Sequence, residues 1–408
     1  MQACKLGCLF PASPFGRGVM RKARRTGSEK GVRRDGDHLG RHRDHLKTVR
    51  AWAVPALLSI PFTGCVSDED PAPPFFAPVP DVEVRYRTEH FDIALFSDVP
   101  LCAGTLFMLE DHVDHVLNAL ELDFDGRVPV YLARDGEIDL QAWCLSEDLI
   151  SGCYIGVIFT TMYAVYHEIV HALTVPEAGS WWSEGVAHAF AFRQDYSTPD
   201  FREGWSPRRG ESGHLSRWLI ERHGGEAFMN LYERTPRGAD QATVEAAVRD
   251  VLGDSFEDVL SDYARTAPYV YPDHLACYVP RGAVETPWMN EYWEQEIALD
   301  CDEANTFSSG DSDEQRMQAR IPITIPMDGY FNFIADDAEA EVSIQPCLVE
   351  PSMEPIPGAE DWPILYYSSG PGRYLRAGPH VLIVSLPPGV PASLRLAGFP
   401  EIAVHPIP

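Results

Sequence analysis

Tyr166-His167-Glu168-Ile169-Val170-His171-Ala172-Leu173 and, shortly downstream, Trp181-Trp182-Ser183-Glu184-Gly185-Val186-Ala187-His188 are the stretches whose reading decides the fold. Residues four apart on an α-helix stand one turn apart on the same face, so a helix here turns His167 and His171 toward a common point. Apolar flanks, Met162 to Val165 before and Ala172 with Leu173 after, mark that helix as buried. A pair of solvated surface histidines would be the plain alternative, and the flanks argue against it. Adjacent His, Glu and His side chains in a core need partners, and a metal ion is one such partner.

A catalytic zinc ion takes three protein ligands and keeps a fourth position open. Twelve residues separate His171 from Glu184, and within them Pro176-Glu177-Ala178-Gly179-Ser180 breaks the first helix. The gap is long enough for the chain to return antiparallel, with Ser180 capping a second helix and Glu184 facing the two histidines. The expected metal ligands are therefore His167, His171 and Glu184. Glu168 lies beside them, placed to take a proton from a water rather than to bind the metal. Gly185 is expected to let the two helices approach closely, and the Trp pair to pack and shield the site.

His-Glu-x-x-His followed by Trp-x-x-Glu-Gly-x-Ala resembles the gluzincin superfamily of zinc metallopeptidases, particularly the bacterial peptidase-MA-like proteins. The resemblance covers about residues 82–266. It implies Zn(2+) on His167, His171 and Glu184, Glu168 as general base, and a peptide or protein as substrate. It also implies a donor near the developing oxyanion. The candidates are His214, Tyr163, Tyr166 and Tyr232, with His214 favoured because it opens the helix after the loop bordering the cleft. Two departures stand out: the gap of twelve is short for the group, and His188 occupies a position where several relatives carry an acid. His188 is open to three roles: support for a ligand, a further ligand, or a pocket residue, the first and last being favoured over ligation. A zinc hydrolase of non-peptide substrates and an inactive surface binding protein are the competing functions; the intact Glu168 argues against the latter.

Working outward, VEVRYR and FDIALF alternate as strands, Thr105–Leu122 has helical spacing, and Val128–Leu132 reads as a strand. Tyr154–Phe159 is expected as a further strand running directly into a helix from about Thr160 to Thr174. Helices follow at Gly213–His223, Gly225–Glu233, Ala242–Leu252 and Ser255–Thr266. After Pro268 the chain turns irregular, and from Ile321 short strands alternate with MDG, AGP and PPGVP turns. The fold class expected is α+β: a gluzincin-like catalytic domain, with a small mixed sheet, active-site helices and a helical subdomain, followed by a C-terminal β-sandwich. The divisions are a basic leader and lipoprotein-type signal peptide (1–64), a lipidated cysteine with a Pro-rich tether (65–80), a zinc metallopeptidase-like domain (81–268), an irregular connector (269–317) and a β-sandwich accessory domain (318–408). The last holds no reactive cluster and is expected to be dispensable for the metal site.

Charge and cysteines point to export. Residues 1–50 carry 13 Lys and Arg against 4 acids, leaving 20 basic and 57 acidic residues in the remainder. So acidic a body repels nucleic acid, which is excluded as a partner. Ala51 to Gly64 is uncharged, too short for a confident span, and ends in small residues before Cys65. That pattern resembles a bacterial lipoprotein signal. It implies a membrane attachment through a lipid on Cys65 and a place in the bacterial cell envelope, lipid-anchored or secreted. Phe62 stands where a Leu is usual, and translation is expected to start near Val49. Six further cysteines, from Cys102 to Cys347, suit up to three disulfides in an oxidising compartment. Cys144–Cys153 and Cys277–Cys301 are the short-range pairings expected.

Overall fold

The computed structural model describes residues 81–97, 100–133, 140–144, 151–162, 164–174, 180–191, 209–236, 238–280, 282–289, 292–308, 316–335, 339–348, 350–353, 364–367, 373–390 and 392–399. The leader, the lipoprotein-type signal, Cys65, the tether and Tyr163 lie outside them.

The amino-terminal sheet has five strands in the order β1-β2-β3-β5-β4, formed by Val84–Arg87 (β1), Phe91–Leu95 (β2), Val128–Ala133 (β3), Gly152–Tyr154 (β4) and Ile158–Thr161 (β5). The inner pairs β2/β3 and β3/β5 are parallel, and the outer pairs β1/β2 and β4/β5 antiparallel. Parallel strands need a crossover, which helix α1 (Ala103–Leu120) supplies between β2 and β3. Both faces are covered. Phe91, Ile93, Leu95, Val128, Val130 and Leu132 join the main apolar core, while Ala94, Tyr131 and Phe159 point the other way and pack with Leu140 of α2 (Leu140–Cys144). On α1 the stripe Leu109, Val113, Val116 and Leu120 is buried at helical spacing, each side chain contributing about 1.5–3 kcal/mol of apolar burial.

The expected strand over 154–159 running into a helix is corrected here. The chain forms the hairpin β4/β5, and α3 begins only at Val165 and ends at Leu173. Thr160 and Thr161, β-branched and buried, extend the strand instead of opening the helix. Five more helices follow: α4 (Ser180–Ala191), α5 (Arg209–His223), α6 (Gly225–Arg234), α7 (Gln241–Leu252) and α8 (Phe256–Thr266). Asp240 and Ser255 cap α7 and α8, accepting from the backbone N–H groups of Thr243 and Asp258.

The stretch 269–317, expected to be irregular, contains two strands, β6 (Tyr292–Ile297) and β7 (Thr306–Ser308), which enter separate sheets. The remaining strands are β8 (Met317–Ile325), β9 (Gly329–Ala335), β10 (Glu341–Pro346), β11 (Ile364–Tyr367), β12 (Arg373–Leu375), β13 (Gly378–Leu386) and β14 (Ala392–Phe399). They form an antiparallel five-stranded sheet, β11-β10-β13-β8-β7, and a four-stranded one, β12-β9-β14-β6. One apolar cluster, including Trp293, Phe331, Ile323, Leu382 and Leu396, draws side chains from both. The architecture is thus mixed α and β, with sheets of four and five strands. No helix among the described residues is long and apolar enough to cross a membrane.

Cys144 pairs with Cys153 as expected. The Cys277–Cys301 expectation is wrong: Cys301 bonds Cys102 and Cys277 bonds Cys347. Cys301 is carried onto the start of α1, where its carbonyl accepts the Ala103 N–H at 2.8 Å. Nearness in sequence gave way to packing. Strand β8 also sends Arg320 across to the Leu275 carbonyl, and Ser308 of β7 accepts the Cys102 N–H at 2.8 Å. A chain ending near residue 317 would lose β8, leave β7 unpaired and strip Cys277 of its partner. We expect it to lose at least the 2–5 kcal/mol typical of a native disulfide, read from a denaturation midpoint. A midpoint equal to that of the full chain would show that the helical part stands alone.

Candidate metal centre

Helices α3 and α4 place the residues that the sequence singled out against one another. His167 and His171, one turn apart on α3, bring their Nε2 atoms to 3.1 Å with ring planes nearly perpendicular, at 83°. Glu184 approaches from α4, with Oε2 3.5 Å from His167 Nε2 and Oε1 3.5 Å from His171 Nε2. His188 lies one turn further along α4, and its ring meets that of His167 edge-on at 5.0 Å. Ligand atoms of His167, Glu184 and His188 all lie within 4.8 Å of one another. The cluster could hold a metal ion.

No protein-family model matches the chain, and no curated protein matches it.

The donor chemistry fits a divalent transition metal, since imidazole and carboxylate together suit zinc. Burial pushes the Glu184 carboxyl up, but hydrogen bonding and attraction to His167 and His171 outweigh it and hold the group well below the usual carboxylate range. Glu184 therefore offers an anion to the site. Ser183, immediately before it, places Oγ 3.2 Å from His171 Nδ1. When Nδ1 donates that bond, the lone pair is left on Nε2, the atom turned toward the cluster. The role of Ser183 was missed in the sequence, although its place beside Glu184 was a usable signal.

Glu168 is buried, with 5% exposure, on the same short helix. A Cβ built on Gly152 of β4 would stand 2.9 Å from the Glu168 Cγ and 2.5 Å from the buried Thr160 Oγ1. Only a glycine lets this outer strand pass so close to the glutamate. Gly152→Ala should displace one of these groups, and its effect on turnover is expected to exceed its effect on stability. Matched losses in both would mean that the contact is packing alone.

Gly185 does permit close approach, but toward α5 and not α3. A Cβ there would lie 2.5 Å from Ser216 Oγ and 2.9 Å from the Ser212 carbonyl oxygen. Backbone cannot yield cheaply, so Gly185→Ala should part α4 from α5 at a cost of about 1–3 kcal/mol. A denaturation midpoint unchanged from wild type would contradict that.

Among the oxyanion candidates, His214 is fully buried on α5, with Nδ1 2.7 Å from Tyr263 Oη and its ring against Tyr263 and Tyr271. Tyr232 is buried too, its hydroxyl 3.4 Å from Thr174 Oγ1 at the far end of α3. Burial pushes the Tyr166 phenol up to about 12, with Arg320 opposing. The converging ligand atoms come from His167, Glu184 and His188, and His214 is not part of that group. Trp181 and Trp182 stack at 3.5 Å and are buried, as packing requires.

Proposed function

We propose that the chain is a gluzincin-type zinc hydrolase that cleaves peptide bonds at the bacterial cell envelope, exported by a lipoprotein-type signal and anchored through Cys65. The observation that carries this reading is the meeting of His167, His171 and Glu184 from two helices, with the buried Glu168 beside them. A zinc ion bound there would polarise the scissile carbonyl and activate a water molecule. The chain's own residues supply the rest. Glu168 accepts the water's proton on its carboxylate and returns it to the departing amine. Ser183 fixes the orientation of His171, and the negative Glu184 balances the metal's charge. Strand β4, beside Glu168 and, among the described residues, paired with β5 alone in its sheet, would offer a backbone edge to which an extended peptide adds. His214 would serve the oxyanion through Nε2, because Nδ1 is engaged by Tyr263. The two C-terminal sheets around one apolar cluster would form a β-sandwich that serves binding or stability.

Hydrolysis of a peptide library by the zinc-loaded full chain, abolished by a chelator and restored by zinc, is the test. Stoichiometric zinc with no peptide cleaved would move the reading to another substrate or to a binding protein. For the anchor, Cys65→Ser should release the protein from membranes or leave it unprocessed. A mature N-terminus found unmodified upstream of residue 51 would overturn the export reading.

A further inference from the structure

We infer that His112, held in place by His274, is a positioning residue for the metal-bearing helix α3. The inference rests on the reading of α3 as that helix. It starts from the helix's entrance: Ala164, the N-cap, makes no side-chain capping bond, so the turn that carries His167 is held locally by backbone alone, the His167 and Glu168 N–H groups donating to the Ala164 carbonyl.

His112 is buried on α1, and its Nε2 lies 3.0 Å from the carbonyl oxygen of Tyr166, the residue before His167. A carbonyl only accepts, so Nε2 carries the proton and donates. Burial pushes the His112 pKa down to about 3, so the ring is neutral and Nδ1 is an acceptor. The nitrogen facing Nδ1 is His274 Nε2, at 2.8 Å. It must therefore be the donor. The two rings are coplanar, at 0°, with centroids 5.1 Å apart and their facing nitrogens far closer, so they meet edge to edge as an in-line hydrogen bond requires. One backbone carbonyl thus sets the tautomers of the buried His112 and the half-buried His274 in sequence.

The same group reaches the second metal-bearing helix. His115, one turn beyond His112 on α1, stacks on His274 at 3.9 Å and meets Phe190 of α4 edge-on at 5.7 Å. Phe190 lies two residues beyond His188. The ring of His112 also packs edge-on against that of Tyr166, at 5.2 Å and 84°. His112, His115 and His274 do not form a metal cage of their own. Among the described residues, the group whose ligand atoms converge is His167, Glu184 and His188. The three imidazoles act instead by direction and shape. His274, from the segment after α8, carries the constraint from the C-terminal half of the chain to the start of α3.

Two substitutions separate donor from shape. His112→Gln retains an N–H that can reach the Tyr166 carbonyl, whereas His112→Phe keeps a ring without one. His112→Phe should weaken zinc binding on the order of tenfold or more, shift the visible bands of the cobalt-substituted protein, and speed amide exchange over residues 166–171 in the metal-free full chain. His112→Gln should restore all three toward wild type. If His112→Phe fails to fold, His274→Phe, which leaves the His112 donor but removes its support, should show the same three changes at smaller size. Wild-type zinc affinity, cobalt spectrum and exchange in the folded Phe variant would overturn the inference. A wild-type chain that takes up neither zinc nor cobalt would sink the metal reading, and the exchange measurement would still decide for or against positioning.

Discussion

Glu168→Gln should leave zinc bound and the fold intact while turnover falls at least about a hundredfold, the usual scale for losing a positioned acid–base group. Gln matches Glu in size and still forms hydrogen bonds, so the buried space between α3 and the Gly152 backbone stays filled. It cannot accept a proton. Zinc retention follows because the converging ligand atoms belong to His167, Glu184 and His188, with His171 Nε2 beside them, and not to Glu168. Zinc content, a thermal midpoint and a peptide assay check the three parts separately. Wild-type turnover in a zinc-loaded Glu168→Gln protein would show that the base lies elsewhere.

The second large effect concerns the ligands. His167→Ala and Glu184→Ala should each remove most of the zinc, since either change breaks a set of three. His188→Ala carries more information. The sequence favoured a supporting or pocket role for it, whereas its ligand atom lies within 4.8 Å of those of His167 and Glu184. If it supports the site from outside, its loss should weaken zinc tenfold to a hundredfold and spare the saturated rate. If it ligates together with the other three, the site is four-coordinate and closed, the arrangement of a structural zinc. Complete zinc loss in both His188→Ala and His171→Ala, each matching His167→Ala, would therefore count against hydrolysis, whereas loss in His188→Ala alone would put His188 in place of His171 as the third ligand.

What the sequence disclosed followed the strength of its local signals. The stripe on α1 and the i, i+4 histidines are encoded within a few residues of where they act. Glu184 was legible because a Pro/Gly break set the returning helix. The failures are non-local. Thr160 and Thr161 adjoin an apolar run that suits helix or strand, and pairing with β3 decided for strand. Strand β6 looked irregular because its partner lies far along the chain, Ala392 standing opposite Ile297, and β7, which pairs with the neighbouring β8, is only three residues long. Gly185 was read against the wrong helix, because spacing gives the face of a residue and not its neighbour. Cys301 was matched to the nearer cysteine for a similar reason. His112 and His274, 162 positions apart, carry no mutual signal in sequence at all.

The disulfides set an order of events for a chain that leaves the ribosome or crosses a membrane from its N-terminus. Cys102 waits for a partner 199 residues later, and Cys277 for one 70 residues later. Until Cys301 arrives, the start of α1 has no covalent hold, and Cys102 is open to capture by Cys144 or Cys153. Only the latter two, nine apart, can pair early and correctly. Closing so long a loop removes about 5 kcal/mol of unfolded-chain entropy in the chain-entropy model, but only once the chain extends past Cys301. Maturation in an oxidising compartment would then depend on a thiol–disulfide isomerase to undo premature pairs. In a reducing cytosol the same polypeptide would lack the links that tie the start of α1 to the stretch between β6 and β7, and the stretch after α8 to the end of β10.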